Sequence, residues 1–232
     1  MISGARGQFG VGPLARGAAL AYTLLTVQAL LLVTAAPLLA WPLLVPPLLL
    51  DRDASTIALV AACAVPLGPA LSAALYALRR RSLDLTDLHP ARAFWRGYRA
   101  NWAQVLTIWV PLLLGLAIVA VNLAHFSAAA VPGWWAALLV VLALVATLGG
   151  VNALVIVSLF AFRTRDVVRL ALYFLVRAPR VTLGVAAVLV VAAGIAATAS
   201  IAVLAVFGSL LGLALLWASG PLIDAVTKEF TA

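Results

Sequence analysis

The sequence predicts an all-α protein: a polytopic transmembrane helix bundle of about six spans, with two amphipathic helices at the cytoplasmic interface. Two observations predict this fold class. The 232 residues are 66% hydrophobic and only 9% charged, whereas a soluble domain carries about 25% charged residues. The Lys and Arg residues also fall almost wholly between long apolar runs. A chain of this size cannot cover so much apolar surface by itself, so we expect its solvent to be lipid.

The chain is predicted to form a single membrane domain over 1–232, beginning with a short arm at 1–16 that is either poorly ordered or interfacial. The first apolar run, about 17–50, exceeds both a signal-peptide core and one membrane span. Prolines interrupt its second half, so we predict a span over about 18–40 that ends near Trp41. The segment 42–50 is then either a proline-broken connection or a shallow re-entrant segment. The interrupting prolines are Pro37, Pro42, Pro46 and Pro47.

The second span, about 56–78, is predicted to be broken near its middle by Pro66, Gly68 and Pro69. Each proline removes a backbone donor, and the glycine permits a bend or close packing. Two further spans are predicted over about 104–124 and 134–162. The second of these enters the membrane at an aromatic pair, Trp134 and Trp135.

The stretch from Val181 to Ile223 contains no charged residue. As one helix it would extend roughly 65 Å, about twice the hydrocarbon thickness. We therefore predict two spans, about 181–205 and 208–224, joined by a turn near Gly208. One long broken helix is the alternative.

The basic residues predict the orientation of these spans. Of the 15 Lys and Arg residues, only Arg52 falls in a segment that would lie outside if both termini are cytoplasmic. Cytoplasmic segments of membrane proteins carry an excess of Lys and Arg. We therefore predict that the N-terminus and the C-terminus are both cytoplasmic, and that anionic lipid headgroups contact the basic segments.

The segment 91–102 is predicted to be an amphipathic helix, with aromatic residues on one face and arginines on the other. Such a helix lies flat in the interface, aromatics toward the acyl chains and arginines among the lipid phosphates. It serves either as a membrane anchor and orientation signal or as a docking surface for a cytoplasmic partner or another membrane subunit. The residues are Phe94, Trp95, Tyr98 and Trp102 on one face, and Arg92, Arg96 and Arg99 on the other.

A second amphipathic helix is predicted over 166–178, and it is more apolar than the first. Arg165, Arg169 and Arg177 follow a four-residue spacing that continues through Tyr173. This helix is expected to lie deeper in the interface.

The sequence offers little for catalysis or for metal and cofactor binding. The two histidines lack a second ligand at metal spacing, and the motifs for binding nucleotides through phosphate are missing. We therefore predict no enzyme activity, no catalytic residues, no metal and no cofactor. Nucleic-acid binding is not expected either, because there is no basic soluble domain. Gln28, Asn122 and Asn152 are interpreted as interhelical hydrogen-bonding groups rather than as substrate contacts.

The stretch 65–102 resembles the YesL-like family of small bacterial integral membrane proteins. The shared elements are a Gly-Pro-Ala with a downstream Ala-Leu-Tyr that ends an early span, and a basic, aromatic segment with an asparagine before the next span. This chain departs from the family at Pro66, where a threonine is usual. The matching residues are Gly68, Pro69, Ala70, Ala74, Leu75, Tyr76, Phe94, Arg96, Tyr98 and Asn101.

The resemblance implies a protein of the bacterial cytoplasmic membrane that serves as an accessory to carbohydrate uptake, with ABC-transporter subunits as partners. The residues alone support a non-enzymatic accessory or interaction component of a membrane transport system. The alternative is an autonomous small-solute transporter or channel that uses the proline-broken second span. The ligand, the partner and the oligomeric state stay open.

Overall fold

The computed structural model describes residues 12–36, 54–82, 88–129, 132–199 and 201–230. The prolines at 37–47, the segment 42–50 and Arg52 lie outside these residues, so the predictions made for them are not addressed. The described residues form ten α-helices, one short 3₁₀ helix at Phe126–Ala129 and no strand. The helices are α1 Pro13–Thr34, α2 Ala54–Cys63, α3 Leu67–Arg79, α4 Pro90–Ala124, α5 Trp134–Leu159, α6 Thr164–Arg177, α7 Pro179–Thr198, α8 Ile201–Val206, α9 Gly208–Ala218 and α10 Gly220–Phe230.

Five helical stretches are long and apolar enough to cross a membrane. A sixth exists if α9 and α10, which are bent by 52° relative to each other, count as one span. The predicted fold class, an all-α bundle of about six apolar helices, is confirmed. The protein is a membrane protein.

Helix α3 is the centre of the bundle and packs against α1, α4, α5 and α9. Its buried face consists largely of small residues, which allow helix backbones to approach closely where no aqueous hydrophobic effect drives association. These residues are Gly68, Ala70, Ser72, Ala73, Ala74 and Ala77.

Helix α4 corrects the prediction of a separate interfacial helix at 91–102. Residues 90–124 form one continuous helix of 35 residues, about 50 Å long against a hydrocarbon core of about 30 Å. The composition changes sharply near Trp102, but no proline or glycine stands there to end the helix. The amphipathic segment is therefore the first third of a long helix rather than a separate element.

The uncharged stretch near the C-terminus also differs in detail from the prediction. Helix α7 ends at Thr198, seven residues before the predicted end of the fifth span. The short α8 follows, and a break at Phe207 separates it from α9. A break thus exists where the turn was predicted, but it joins two short helices rather than two spans.

Candidate functional site

Polar side chains inside the bundle bind backbone groups at the points where helices are interrupted. The first interruption separates α2 from α3 at residues 64–66. The Ala64 carbonyl there accepts a hydrogen bond from Leu67 N–H at 3.1 Å and another from the Trp109 indole Nε1 at 3.0 Å. Gly68 makes room for this indole, because a Cβ at position 68 would lie 2.5 Å from Trp109 Cγ. The Trp109 side chain of α4 therefore fills the space at the predicted break in the second span.

The second interruption, between α8 and α9, is bridged by Gln28 of α1. Its Nε2 donates to the Ala205 carbonyl, and its Oε1 accepts from the Ser209 N–H at 2.8 Å. These two backbone groups are the pair that a continuous helix would join directly. Gln28 therefore forms an interhelical hydrogen bond, as the sequence predicted.

Two further side chains satisfy backbone carbonyls near α6. Gln104 of α4 donates to the Phe162 carbonyl at 2.6 Å, in the extended segment between α5 and α6. Thr182 donates to the Leu175 carbonyl at 2.8 Å. That carbonyl would otherwise face the nitrogen of Pro179, which has no hydrogen to donate. In a membrane such freed carbonyls need a partner from the protein.

A buried polar cluster joins α3, α4 and α5. The hydroxyl oxygens of Ser72 and Ser158 lie 3.0 Å apart, and Asn101 donates to Ser72 at 3.5 Å. Both serines are almost fully buried. Six residues before Ser158 on α5, Asn152 is 1% exposed, and neither its Nδ2 nor its Oδ1 has a hydrogen-bond partner among the described residues. Asn122, in contrast, is exposed and donates to its own helix at Ile118. The interhelical hydrogen bonds predicted for Asn122 and Asn152 are therefore not formed among the described residues.

The residues predicted for docking on α4 divide between the core and the surface. Phe94 is fully buried, so its predicted place in the acyl boundary is wrong. Trp95 is 42% exposed and Trp102 is 52% exposed, while Tyr98 is half-buried and stacks on Phe94 with ring centroids 6.5 Å apart. The arginines of this segment, Arg92, Arg96 and Arg99, are all exposed.

Close packing against α3 explains why Phe94 points inward. A Cβ at Gly97 would lie 2.9 Å from the Tyr76 side chain, so the start of α4 approaches α3 as closely as a glycine allows. This contact turns the Phe94 side of α4 toward the bundle. Trp95 and the arginines consequently stay at the surface.

Helix α6 presents its arginines to the outside and packs its apolar side against the bundle. Arg165, Arg169 and Arg177 are exposed, whereas Val167, Ala171 and Phe174 are buried. The Gln104–Phe162 hydrogen bond places the start of α6 beside the first half of α4. The arginines of α4 and α6 therefore lie toward the same end of the bundle, which we call the basic end.

A cleft of about 330 Å³ opens at the basic end between α1, α3 and α4. It was not predicted, because the arginine run at 79–81 indicated only that a span had ended. The sequence does contain a signal for this cleft, because a second pair of arginines, Arg92 and Arg96, follows the first run at the start of the next helix. Among the residues that line this basic cleft are Thr23, Ala77, Arg80, Arg81, Arg92 and Arg96.

Within the described ranges, no three His, Cys, Asp or Glu side chains lie close enough together to hold a metal ion. Cys63 is a free, half-buried thiol at the end of α2.

These features define an integral membrane helix bundle with a hydrogen-bonded interior and a basic end. A family model described as "Protein of unknown function, DUF624" matches residues 20–123. The matched segment extends from α1 to the end of α4, so it includes the basic cleft, the Trp109 contact and Gln28. No curated protein and no solved structure matches the chain.

Proposed function

We propose that this protein is a non-enzymatic accessory or interaction component of a membrane transport system in the bacterial cytoplasmic membrane. The resemblance of 65–102 to the YesL-like family makes carbohydrate uptake the proposed system and ABC-transporter subunits the proposed partners. The match to a family of unknown function covers the same residues. Both termini are proposed to be cytoplasmic, which puts the basic end on the cytoplasmic side.

The distribution of polar groups is the observation that carries this proposal. Inside the bundle, Gln28, Gln104 and Trp109 are engaged with backbone groups of neighbouring helices. The exposed arginines of α4 and α6 lie at the basic end instead, together with the exposed Trp95. Trp95 and Arg99 lie together there in a shallow groove that Arg92 and Arg96 also line. Exposed tryptophan and arginine side chains are the residue types that most often dominate binding energy at interfaces.

The same contacts weigh against the alternative of an autonomous transporter or channel. That hypothesis needs a polar path near the broken second span. Trp109 instead fills the space beside Gly68 and binds the Ala64 carbonyl released by the break. Proteoliposomes that contain only this protein should accordingly not take up labelled sugars faster than empty vesicles.

Affinity purification in mild detergent tests the accessory role. The tagged protein should retain membrane-transporter subunits, and the double variant Trp95→Ala/Arg99→Gln should lose most of them. Trp134→Ala is the matched control, because Trp134 is 60% exposed but lies at the start of α5, away from the basic end. Recovery of the wild-type protein alone would refute the proposal, as would equal loss in the control.

A further inference from the structure

We propose that the basic cleft between α1, α3 and α4 binds one phosphate group, of a lipid headgroup or of a small phosphorylated molecule. This site adjoins the Trp95–Arg99 groove and shares Arg92 and Arg96 with it, but the inference does not depend on the proposed accessory role. It rests on four arginines, on the start of a long helix and on the position of the cleft relative to the membrane.

Two of the arginines, Arg80 and Arg81, directly follow the end of α3 and are held in place by the fold. Arg81 Nη1 donates to the Leu78 carbonyl at 3.0 Å, which uses one of the five N–H groups of the guanidinium. The Arg80 guanidinium carbon lies 4.5 Å from the centre of the Tyr76 ring. Such a contact orients the charge without using its donors.

The other two arginines, Arg92 and Arg96, are one turn apart on α4 and exposed. A guanidinium presents several hydrogen-bond donors in a planar fork, which suits the oxygens of a phosphate. Like charges gathered in one cleft repel one another, so an anion between them would stabilise the arrangement. The described residues that line the cleft include no carboxylate. Asp84 and Asp87 belong to 83–87, outside the described residues.

The start of α4 adds to this positive potential. Pro90 is the first residue of the helix. The first N–H groups of a helix have no partner within the helix and carry the positive end of its dipole. Pro90 and Arg92 both line the cleft, so this helix start faces it. Phosphate groups bind readily at such places.

The walls and position of the cleft favour a ligand held at the membrane surface. Thr23 and Ala77 are almost fully buried and form the inner wall. Thr23 belongs to α1, an apolar helix that meets the criteria for a membrane span. The cleft therefore extends from the depth of the hydrocarbon core to the depth of the arginines. This shape suits a molecule with a phosphate at one end.

Native mass spectrometry of the purified full-length protein tests the proposal. The protein would be titrated with phosphatidic acid, with phosphatidylcholine as the zwitterionic reference, and separately with inorganic phosphate. The wild-type protein should bind one phosphatidic acid more tightly than any further one. Arg92→Gln/Arg96→Gln should weaken that first binding event by about tenfold or more, because charge-assisted hydrogen bonds are lost.

The matched control is Arg165→Gln/Arg169→Gln. It removes the same charge from two exposed arginines that are also one turn apart, but on α6. Its affinity should stay within about twofold of wild type, since a distant exposed charge is screened. Arg92→Lys/Arg96→Lys keeps the charge and should retain more of the binding than the glutamine variant. Thermal unfolding of each variant in detergent shows whether the fold is kept.

Competition with inorganic phosphate distinguishes the two possible sources of the phosphate group. Phosphatidic acid bound at one site and displaced by inorganic phosphate would identify a soluble phosphorylated molecule as the ligand class. Phosphatidic acid that inorganic phosphate cannot displace would identify a lipid headgroup. Equal weakening in the α6 control, or no preference for phosphatidic acid over phosphatidylcholine, would overturn the proposal.

Discussion

The side chain of Gln28 accepts a hydrogen bond from the Ser209 N–H at 2.8 Å while it donates to the Ala205 carbonyl. One amide thereby replaces the backbone hydrogen bond between Ser209 and Ala205 that the break between α8 and α9 removes. Helix α1 lies directly against this break, since a Cβ at Gly208 would be in van der Waals contact with Leu31 Cδ1 at 3.4 Å and with Gln28 Oε1 at 3.7 Å. Helix α1 is thus attached to the last part of the bundle by a polar contact inside an apolar region.

Replacing Gln28 should destabilise the protein through this contact. Gln28→Met keeps the length of the side chain but leaves the Ala205 carbonyl and the Ser209 N–H without partners. We expect a loss of about 1–2 kcal/mol in the free energy of unfolding, near the upper values measured for interhelical hydrogen bonds in membranes. This change in the free energy of unfolding would be measured by unfolding the purified protein in a mixture of detergent and denaturant.

Thr26→Val is the control for Gln28, because the Thr26 hydroxyl binds only the Tyr22 carbonyl of its own helix at 2.9 Å. It should change stability by much less. If both variants unfold at the same denaturant concentration, the bridge to α9 contributes nothing measurable.

A methyl group at Gly68 should also destabilise the fold. The added Cβ would lie 2.5 Å from Trp109 Cγ, so the indole would have to move and would lose its hydrogen bond to Ala64. We expect Gly68→Ala to cost about 1–3 kcal/mol, the usual range for overpacking. Gly115 on α4 provides the comparison, because nothing lies within 4 Å of its added Cβ.

Gly115→Ala should leave stability unchanged or raise it by up to about 1 kcal/mol through helix propensity. The two alanine variants would be compared by thermal unfolding in one detergent. Equal stability of both would contradict the proposed packing of Trp109 against Gly68.

The positions of the helices could be predicted from the sequence, but the side that each helix turns toward the bundle could not. Long apolar runs and their prolines indicate where spans lie and where α2 ends. Phe94 shows the limit of this reasoning. Lipid and protein interior are both apolar, so the spacing of aromatics does not tell which of the two an aromatic face contacts. Only the close approach of Gly97 to Tyr76 decides that Phe94 turns inward.

The continuity of α4 and the basic cleft were missed for related reasons. The change from basic to apolar residues near Trp102 marks a change of surroundings and not the end of a helix. A helix ends at a backbone breaker or a cap, and Ala103 and Gln104 provide neither. The cleft depends on Arg80 and Arg92, which come together only because α3 and α4 are antiparallel neighbours.

A substitution at Asn152 should stabilise the protein, whereas those at Gln28 and Gly68 should destabilise it. Its amide is buried without a hydrogen-bond partner among the described residues, and such a group costs about 1–3 kcal/mol. Asn152→Leu has a similar size and removes that cost, so it should raise the unfolding temperature of the purified protein. A lower unfolding temperature would instead indicate that the amide has a polar partner, such as a buried water.

The orientation of the bundle can be tested with single cysteines in a Cys63→Ala background. Ser127 is exposed in the 3₁₀ helix after α4, and Ala91 is exposed at the start of α4, at the basic end. With the basic end cytoplasmic, Ser127→Cys should react with a membrane-impermeant maleimide in intact cells. Ala91→Cys should react only after permeabilisation. The reverse pattern would require the arginine-rich end to face outward, against the usual excess of basic residues on the cytoplasmic side.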